Sequence, residues 1–292
     1  RKLLEKYNHK YMRLPSGVTM HYVEAGDPAS PLMVMIHGFP EFWYSWRFQI
    51  DHFQKRYRVV AIDQRGYGNS SKPAAVADYS AALLAKDVDD LIHGLSEPST
   101  GIIAGYDAAV VVGHDVGGAV AWRLALAFPA TVRRLVVCSS AHPAVAASLM
   151  RTSTAQRARS WYVFLFQTGS IPEAAIASDD FKLWGDGGLR NRENLTIEDM
   201  EAWKFTFDCL RSAINYYRCA VQQQPDTAAE DGKCHVPTLI LWGDADKFHV
   251  KEAATLSAQL CDDVQLFILP DASHWIQQDE PRLVNDHIDD FL

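Results

Sequence analysis

One turn of this chain combines the residues needed for a carboxylate nucleophile. Residues Gly113 to Gly118 read Gly-His-Asp-Val-Gly-Gly; they follow the apolar run Ala109 to Val112 and precede a helical pattern. A polar residue between glycines, at the junction of a strand and a helix, is typical of a nucleophile elbow, whose tight turn pushes the central side chain out of the sheet. The central residue here is Asp115. A carboxylate in this position attacks a saturated carbon that bears a leaving group and becomes an alkyl ester.

A second turn could stabilise negative charge beside this elbow. His37 to Pro40 reads His-Gly-Phe-Pro and comes directly after the apolar run Leu32 to Ile36. The backbone N–H of Phe39 can face the elbow, and together with the N–H of Val116 at the start of a helix it would form an oxyanion hole. Pro40 has no N–H, and the peptide bond before it is a candidate for the cis form.

An acid and a general base are expected beyond two later strands. Trp242 to Asp246 reads Trp-Gly-Asp-Ala-Asp, and one carboxylate of this loop would accept a hydrogen bond from a histidine and fix its tautomer. Spacing alone does not choose between Asp244 and Asp246. His274 follows the apolar run Val264 to Leu269, and the order nucleophile, acid, histidine is the chain order known for such sites. We therefore predict that His274 is the general base.

The segments between these residues predict the scaffold that would hold them. Short apolar runs, typical of buried parallel strands, alternate with helical patterns, and this alternation indicates an α/β fold with a doubly wound parallel sheet. The predicted strands are Val18 to Val23, Leu32 to Ile36, Tyr57 to Ile62, Ala109 to Val112, Leu135 to Cys138, Thr238 to Trp242 and Val264 to Leu269. The predicted helices are Phe42 to Lys55, Ser80 to Leu95, Gly117 to Phe128 and Val250 to Leu260.

The strand–helix rhythm is interrupted between Pro143 and Val236. This stretch has no strong strand pattern, is rich in aromatic residues and includes the helical pattern Met200 to Val221. We predict a helical cap over residues 144–235, inserted after the sixth strand of a core formed by residues 1–143 and 236–292. Glu97 to Gly105 contains a proline and two glycines and is predicted to be a lengthened surface loop.

The composition favours a small-molecule substrate. With 292 residues, 48% of them apolar, the chain can bury a large core, and its net charge of −8 argues against nucleic acid or an anionic membrane as the partner. The five cysteines are scattered, and no cysteine or histidine cluster has metal-ligand spacing, so we expect reduced thiols and no metal. The chain starts at Arg1 without a signal peptide. We expect a cytoplasmic location, or membrane association if an N-terminal anchor has been removed.

Together these motifs resemble one family closely. The chain is similar over nearly its whole length to epoxide hydrolases of the α/β-hydrolase superfamily, above all to the hydrolase domain of the soluble-type enzyme and its animal relatives. The resemblance implies the α/β-hydrolase fold, with a mostly parallel eight-stranded sheet, helices on both faces and an inserted helical cap. The segments that carry the resemblance are His37 to Arg47, Asp63 to Gly68, Gly113 to Gly118 and Ser273 to Trp275.

The resemblance also implies roles for particular residues. The family pattern Trp-Gly-Glu/Asp-x-Asp places the acid at its last position, which is Asp246. Two cap tyrosines of the family donate hydrogen bonds to the epoxide oxygen, and the matching residues here are Tyr162 and Tyr217; Tyr216 would point elsewhere on its helix. Many members carry tryptophan after the nucleophile, where this chain has Val116, so we expect an altered pocket wall beside the elbow.

The implied reaction converts an epoxide to a vicinal diol without a cofactor. Asp115 would form a hydroxyalkyl ester, which water activated by His274 would hydrolyse. The expected partners are a small apolar epoxide and water, with no nucleic acid, in a monomer or homodimer. The substrate would be a fatty-acid epoxide, a terpenoid or a xenobiotic, so the expected biological setting is lipid epoxide metabolism or detoxification.

Two other functions stay open at this point. A dehalogenase also uses an aspartate elbow, but haloacetate dehalogenases hold their substrate with arginines where this chain has Val116 and Ala119, and haloalkane dehalogenases usually have asparagine in place of Phe39. A non-catalytic ligand-binding homologue would keep the pocket and tend to lose the chemistry, which the complete residue set disfavours.

Overall fold

The core of the protein is one sheet of eight strands. The computed structural model describes residues 3–96, 108–178, 194–206, 209–222 and 232–292. The strand order in the sheet is β1-β2-β4-β3-β5-β6-β7-β8; β1 pairs antiparallel with β2 and β2 with β4, and every other neighbouring pair is parallel. The strands are β1 (Asn8–Arg13), β2 (Thr19–Ala25), β3 (Leu32–Ile36), β4 (Arg58–Ile62), β5 (Ala109–His114), β6 (Val132–Cys138), β7 (Thr238–Gly243) and β8 (Val264–Leu269).

The central strands are apolar throughout because both faces of the sheet are covered. All five residues of β3 are buried, and they alternate between two separate hydrophobic clusters. Val34 and Ile36 contribute to the cluster on one face, whereas Met33 and Met35 contribute to the cluster on the other. Continuous apolar runs are therefore the expected signature of these parallel strands. Half of the residues of β1 are exposed at the edge of the sheet, which explains why its sequence does not predict a strand.

Helices pack on both faces of the sheet, which confirms the predicted α/β fold. Helices α2 and α3 contribute to the cluster on one face, and α1 and α12 contribute to the other. The α-helices within the described residues are α1 (Arg47–Phe53), α2 (Ala81–Ser96), α3 (Asp115–Ala127), α4 (Pro143–Thr152), α5 (Thr154–Arg159), α6 (Trp161–Leu165), α7 (Ile171–Ala177), α8 (Ile197–Thr206), α9 (Leu210–Gln222), α10 (Glu252–Ala258), α11 (Ile276–Asp279) and α12 (Pro281–Phe291). Among the described residues, no helix is both long enough and apolar enough to cross a membrane.

The chain between β6 and β7 contains helices α4 to α9. Where the sequence predicts one helix from Met200 to Val221, the structure has two helices, α8 and α9. Helix α8 ends at Thr206, and helix α9 begins at Leu210. The predicted loop from Glu97 to Gly105 lies outside the described residues. The division into core and cap at residues 143 and 236 stays a prediction.

Candidate active site

Asp115 occupies a sharp turn between β5 and α3, as the glycine pattern predicts. Its φ of 50° lies in the left-handed region, which a non-glycine residue adopts only where the surrounding structure enforces it. The enforcement comes from close backbone packing: a Cβ on Gly117 would lie 2.2 Å from the carbonyl oxygen of His37, so only glycine fits there. The Asp115 side chain is 7% exposed, and its Oδ1 has no hydrogen-bond partner within the described residues. One carboxylate oxygen is thus free to attack.

His274 lies between Asp115 and Asp246. Its Nδ1 is 2.8 Å from Asp246 Oδ2, and its Nε2 is 3.5 Å from Asp115 Oδ2. The other oxygen of Asp246, Oδ1, accepts the backbone N–H groups of Phe248 and His249 at 2.7 and 2.9 Å, which fixes the carboxylate. This geometry is that of a nucleophile, a base and an orienting acid.

The structure also distinguishes the two aspartates that spacing left open. Asp244 is exposed and accepts the backbone N–H of Asp271 at 2.7 Å. Its carboxylate therefore stabilises a surface turn, whereas Asp246 contacts the histidine.

Asp115, Asp246 and His274 shift one another's pKa values. Burial alone would lower the pKa of His274, but the carboxylates of Asp246 and Asp115 outweigh burial and raise that pKa to about 10. Burial alone would raise the pKa of Asp115, and His274 outweighs it, so the pKa of Asp115 lies below its ordinary value. The pKa of Asp246 is likewise lowered, against burial, by His274 and His249. At neutral pH the resting site therefore holds an imidazolium between two carboxylates.

The turn after β3 packs against the elbow. A Cβ on Gly38 would lie 2.7 Å from the Cβ of Asp115, so the backbone on either side of Gly38 approaches the nucleophile closely. The Phe39–Pro40 peptide bond is cis, as the sequence suggested. Val116 is half-buried and packs against the hydrophobic cluster that contains α3; the residues found to line the pocket do not include it. The expectation that Val116 alters the pocket wall therefore finds no support in the described structure.

A buried polar network behind the site was not predicted from the sequence. Glu41 Oε2 accepts the N–H of Gly38 at 2.8 Å and lies 2.7 Å from Nδ1 of His114, the residue before the nucleophile. His114 Nε2 donates to the carbonyl oxygen of His274 at 2.9 Å. Glu41 Oε1 accepts the side-chain amides of Gln277 and Gln278 at 3.1 and 2.8 Å. One carboxylate thus ties together the loops that carry the oxyanion turn, the nucleophile and the base.

The sequence contains no local signal for this network, because its members are far apart along the chain. Glu41 and His114 are 73 positions apart, and Glu41 and Gln278 are 237 positions apart. Only the fold brings them together. The one available hint is that Glu41 directly follows the His37 to Pro40 motif and that His114 lies within the Gly113 to Gly118 motif.

A cavity of about 220 Å³ opens directly above Asp115. Its polar side chains are Asp115, His274 and two tyrosines, and the remaining walls are aromatic or aliphatic. Such a lining fits an uncharged apolar ligand that is oriented by a few polar groups. The apolar lining residues are Phe39, Pro40, Trp161, Leu165, Phe166, Pro172, Ala175, Ile176, Phe248 and Trp275.

Tyr162 on α6 and Tyr217 on α9 both line this cavity. Their rings are 5.7 Å apart and nearly perpendicular, and neither hydroxyl forms a hydrogen bond with a described residue. Burial, reinforced by the charge of Asp115, raises the pKa of each phenol above its ordinary value, so both stay protonated donors at neutral pH. Tyr216 points elsewhere, as predicted: its hydroxyl donates to the carbonyl oxygen of Arg65 at 2.6 Å.

Among the described residues, one cluster brings potential metal ligands together. Asp246, His249 and His274 offer ligand atoms that lie within 4.8 Å of one another. The 2.8 Å hydrogen bond between His274 Nδ1 and Asp246 Oδ2 already satisfies the two atoms that a metal would need. The function proposed below uses His274 and Asp246 as an acid–base pair and gives no step to a metal.

Comparison with known proteins agrees with the fold. A family model described as the alpha/beta hydrolase fold matches residues 31–281, so the chain has the class of scaffold that the sheet and elbow define. Epoxide hydrolase 1 of Caenorhabditis elegans is 43% identical over 99% of this chain and 71% of its own length. Epoxide hydrolase 4 of Mus musculus is 38% identical over 97% of this chain and 79% of its own length.

Solved structures give the same result. An epoxide hydrolase from Bacillus megaterium, crystallised with an inhibitor, matches with a TM-score of 0.86 and 28% identity over 97% of this chain and 99% of its own. The chain belongs to the epoxide hydrolases of the α/β-hydrolase fold family. The family resemblance drawn from the sequence is confirmed.

The charge coupling at the site predicts the effect of removing one carboxylate. Asp115→Asn should lower the pKa of His274 by roughly 1–3 pH units, because one of its two anionic neighbours is lost. NMR titration of histidine-labelled protein measures this, with mass spectrometry to check that the new amide has not deamidated. Asp244→Asn is the matched control, and it should leave His274 unchanged. An unchanged pKa in Asp115→Asn would contradict the coupling.

Proposed function

We propose that this protein hydrolyses epoxides to vicinal diols through a covalent ester on Asp115. The observation that carries the proposal is the arrangement around the cavity: an unpaired carboxylate oxygen on one side, and two free phenol hydroxyls among the residues that line the same space. A carboxylate and two phenols suit an electrophile whose leaving group is an oxygen that stays attached to the product. The substrate and co-substrate are therefore an epoxide and water.

In the first step Asp115 attacks an epoxide carbon. A bond forms between a carboxylate oxygen and that carbon while the carbon–oxygen bond of the epoxide breaks. The leaving alkoxide takes a proton from Tyr162 or Tyr217, whose raised phenol pKa values keep a proton available. The product of this step is a neutral hydroxyalkyl ester of Asp115.

Loss of the charge on Asp115 prepares His274 for the second step. The histidine is held as an imidazolium partly by this carboxylate, so esterification removes one of the interactions that raise its pKa. The imidazolium can then release a proton, which replaces the one that the alkoxide took. His274 becomes a neutral base only after the intermediate has formed, and the cycle is thereby ordered.

In the second step water attacks the carbonyl carbon of the ester. His274, oriented by Asp246, accepts a proton from the water, and the tetrahedral oxyanion is stabilised by the backbone N–H groups of Phe39 and Val116. The carbon–oxygen bond of the tetrahedral intermediate breaks, the leaving alkoxide takes the proton of the newly formed carboxyl group, and the diol leaves Asp115 as a carboxylate. The proton that stays on His274 restores the resting ion pair.

The described cavity favours an uncharged apolar epoxide. None of the lining residues is an arginine or a lysine, so nothing in the described wall would neutralise a carboxylate held beside the nucleophile. This supports epoxide opening over the dehalogenation of haloacids, which needs cationic groups around the substrate. Halide release assayed beside diol formation separates the two reactions.

Removal of the phenol hydroxyls should slow the first step selectively. The double variant Tyr162→Phe with Tyr217→Phe should lose about 10²–10⁴-fold in the rate of ester formation, because the alkoxide no longer receives a proton. Stopped-flow fluorescence under single-turnover conditions measures this rate. Tyr216→Phe is the matched control, since its hydroxyl bonds to a backbone carbonyl away from the cavity, and it should stay within a few-fold of the wild type. Equal losses in the double variant and the control would count against the assigned donors.

Removal of the base should trap the intermediate. His274→Gln should still open the epoxide once but fail to hydrolyse the ester, so intact-mass spectrometry should show one covalently bound substrate per chain, located on Asp115 by peptide mapping. The same epoxide added to Asp115→Asn should leave the mass unchanged. A His274→Gln protein that forms diol over many turnovers, or an adduct on another residue, would contradict the proposed function.

A further inference from the structure

His249 lies beside the acid of the site and has no role in the steps above. Its Nδ1 is 3.8 Å from Asp246 Oδ2, the same oxygen that His274 Nδ1 contacts at 2.8 Å. This Nδ1 is buried and has no hydrogen-bond partner in the part of the chain that the structure describes. A buried polar atom without a partner is costly, and such atoms call for an explanation.

The hydrogen bonds of Asp246 leave one position open toward His249. A carboxylate offers about four acceptor positions. Oδ1 of Asp246 accepts two backbone N–H groups, and Oδ2 accepts one N–H from His274. The remaining position on Oδ2 has His249 Nδ1 as a neighbour, about 1 Å beyond hydrogen-bond distance. A small rotation of the imidazole would close this gap.

The surroundings hold His249 in this place. Its ring packs 5.3 Å from the ring of His274 and 5.8 Å from Trp242 of β7. From α5, Arg159 donates to the backbone carbonyl oxygens of both Asp246 and His249. The charged groups that face His249 are thus Asp246, His274 and Arg159, with the charge of Asp115 also felt across the site.

We propose that His249 is a positioning residue. During ester hydrolysis its Nδ1–H donates a second hydrogen bond to Asp246 Oδ2. This hydrogen bond weakens the interaction between the Asp246 carboxylate and the proton of His274. A carboxylate oxygen that accepts two N–H groups is a weaker partner for each of them. His274 would then work as a base at lower pH than with Asp246 alone. This inference rests on the proposed function, because it concerns the hydrolytic step.

Two variants separate this role from simple packing. His249→Leu removes the donor and keeps an apolar side chain of similar reach, whereas His249→Asn keeps an N–H donor near the position of Nδ1. The rate of ester hydrolysis should be followed against pH by stopped flow. In His249→Leu the acid limb of this profile should move to higher pH by about 0.5–1 pH unit. The rate of ester hydrolysis at low pH should therefore fall about three- to tenfold. Ester formation should be unchanged.

The conservative variant decides between positioning and packing. His249→Asn should keep the wild-type acid limb. A merely structural role would lower the thermal unfolding temperature of both variants without moving either profile, and that result would overturn the proposal. Equal shifts of the acid limb in both variants would overturn it as well, because the donor would not be the cause.

A second measurement needs no epoxide and keeps the two proposals distinguishable. NMR titration of His274 in the Asp115→Asn background mimics the uncharged nucleophile of the intermediate. Addition of His249→Leu to this background should raise the pKa of His274, and addition of His249→Asn should not. If the wild type turns over no epoxide, the proposed function fails while this titration still tests His249. An unchanged pKa with His249→Leu would overturn the role of His249 while leaving the proposed function intact.

Discussion

The site depends on one buried imidazole held between two carboxylates. His274 is 3% exposed, and its two nitrogens face Asp246 and Asp115 at 2.8 and 3.5 Å. Burial of any one of these charges alone would cost desolvation free energy, and the attraction between the imidazolium and the two carboxylates offsets that cost. In the reaction that we propose, the same arrangement orders the steps, because the charge of Asp115 keeps His274 protonated until the ester has formed.

The fold supplies this geometry through close backbone contacts at the carboxyl ends of parallel strands. A Cβ on Gly243 would lie 2.1 Å from the carbonyl oxygen of Ser273, so the acid loop and the histidine loop touch through their backbones. Gly117 brings the elbow equally close to the turn after β3. Behind these contacts, Glu41 and His114 fix the loops with hydrogen bonds, and both ring nitrogens of His114 face oxygen atoms.

Local features of the sequence predicted most of the scaffold. Apolar runs located six of the eight strands, β3 to β8, because the strands of the parallel part of the sheet carry a continuous signal, and the alternating pattern Val18 to Val23 located β2. The glycines around Asp115 predicted its turn, because only glycine permits such close packing. β1 was missed because an edge strand that is half exposed alternates weakly.

The parts of the site that escaped prediction are those made by distant residues. Spacing could not separate Asp244 from Asp246, because the choice depends on which carboxylate the loop turns toward His274. Tertiary packing also determines the partners of Glu41 and the position of His249 beside Asp246. It likewise determines that Val116 is not among the described residues that line the pocket. Tyr162 and Tyr217 were accessible only through family resemblance, since buried tyrosines are common in any core.

The covalent ester on Asp115 is the central claim, and isotope labelling tests it most directly. A single turnover should be run in ¹⁸O-labelled water with enzyme in excess over epoxide, and the diol analysed by mass spectrometry. We predict an unlabelled first diol, because its new oxygen comes from Asp115, together with ¹⁸O incorporated into the Asp115 carboxylate. Full label in the first diol, with none in Asp115, would show that water attacks the epoxide directly and would contradict the account.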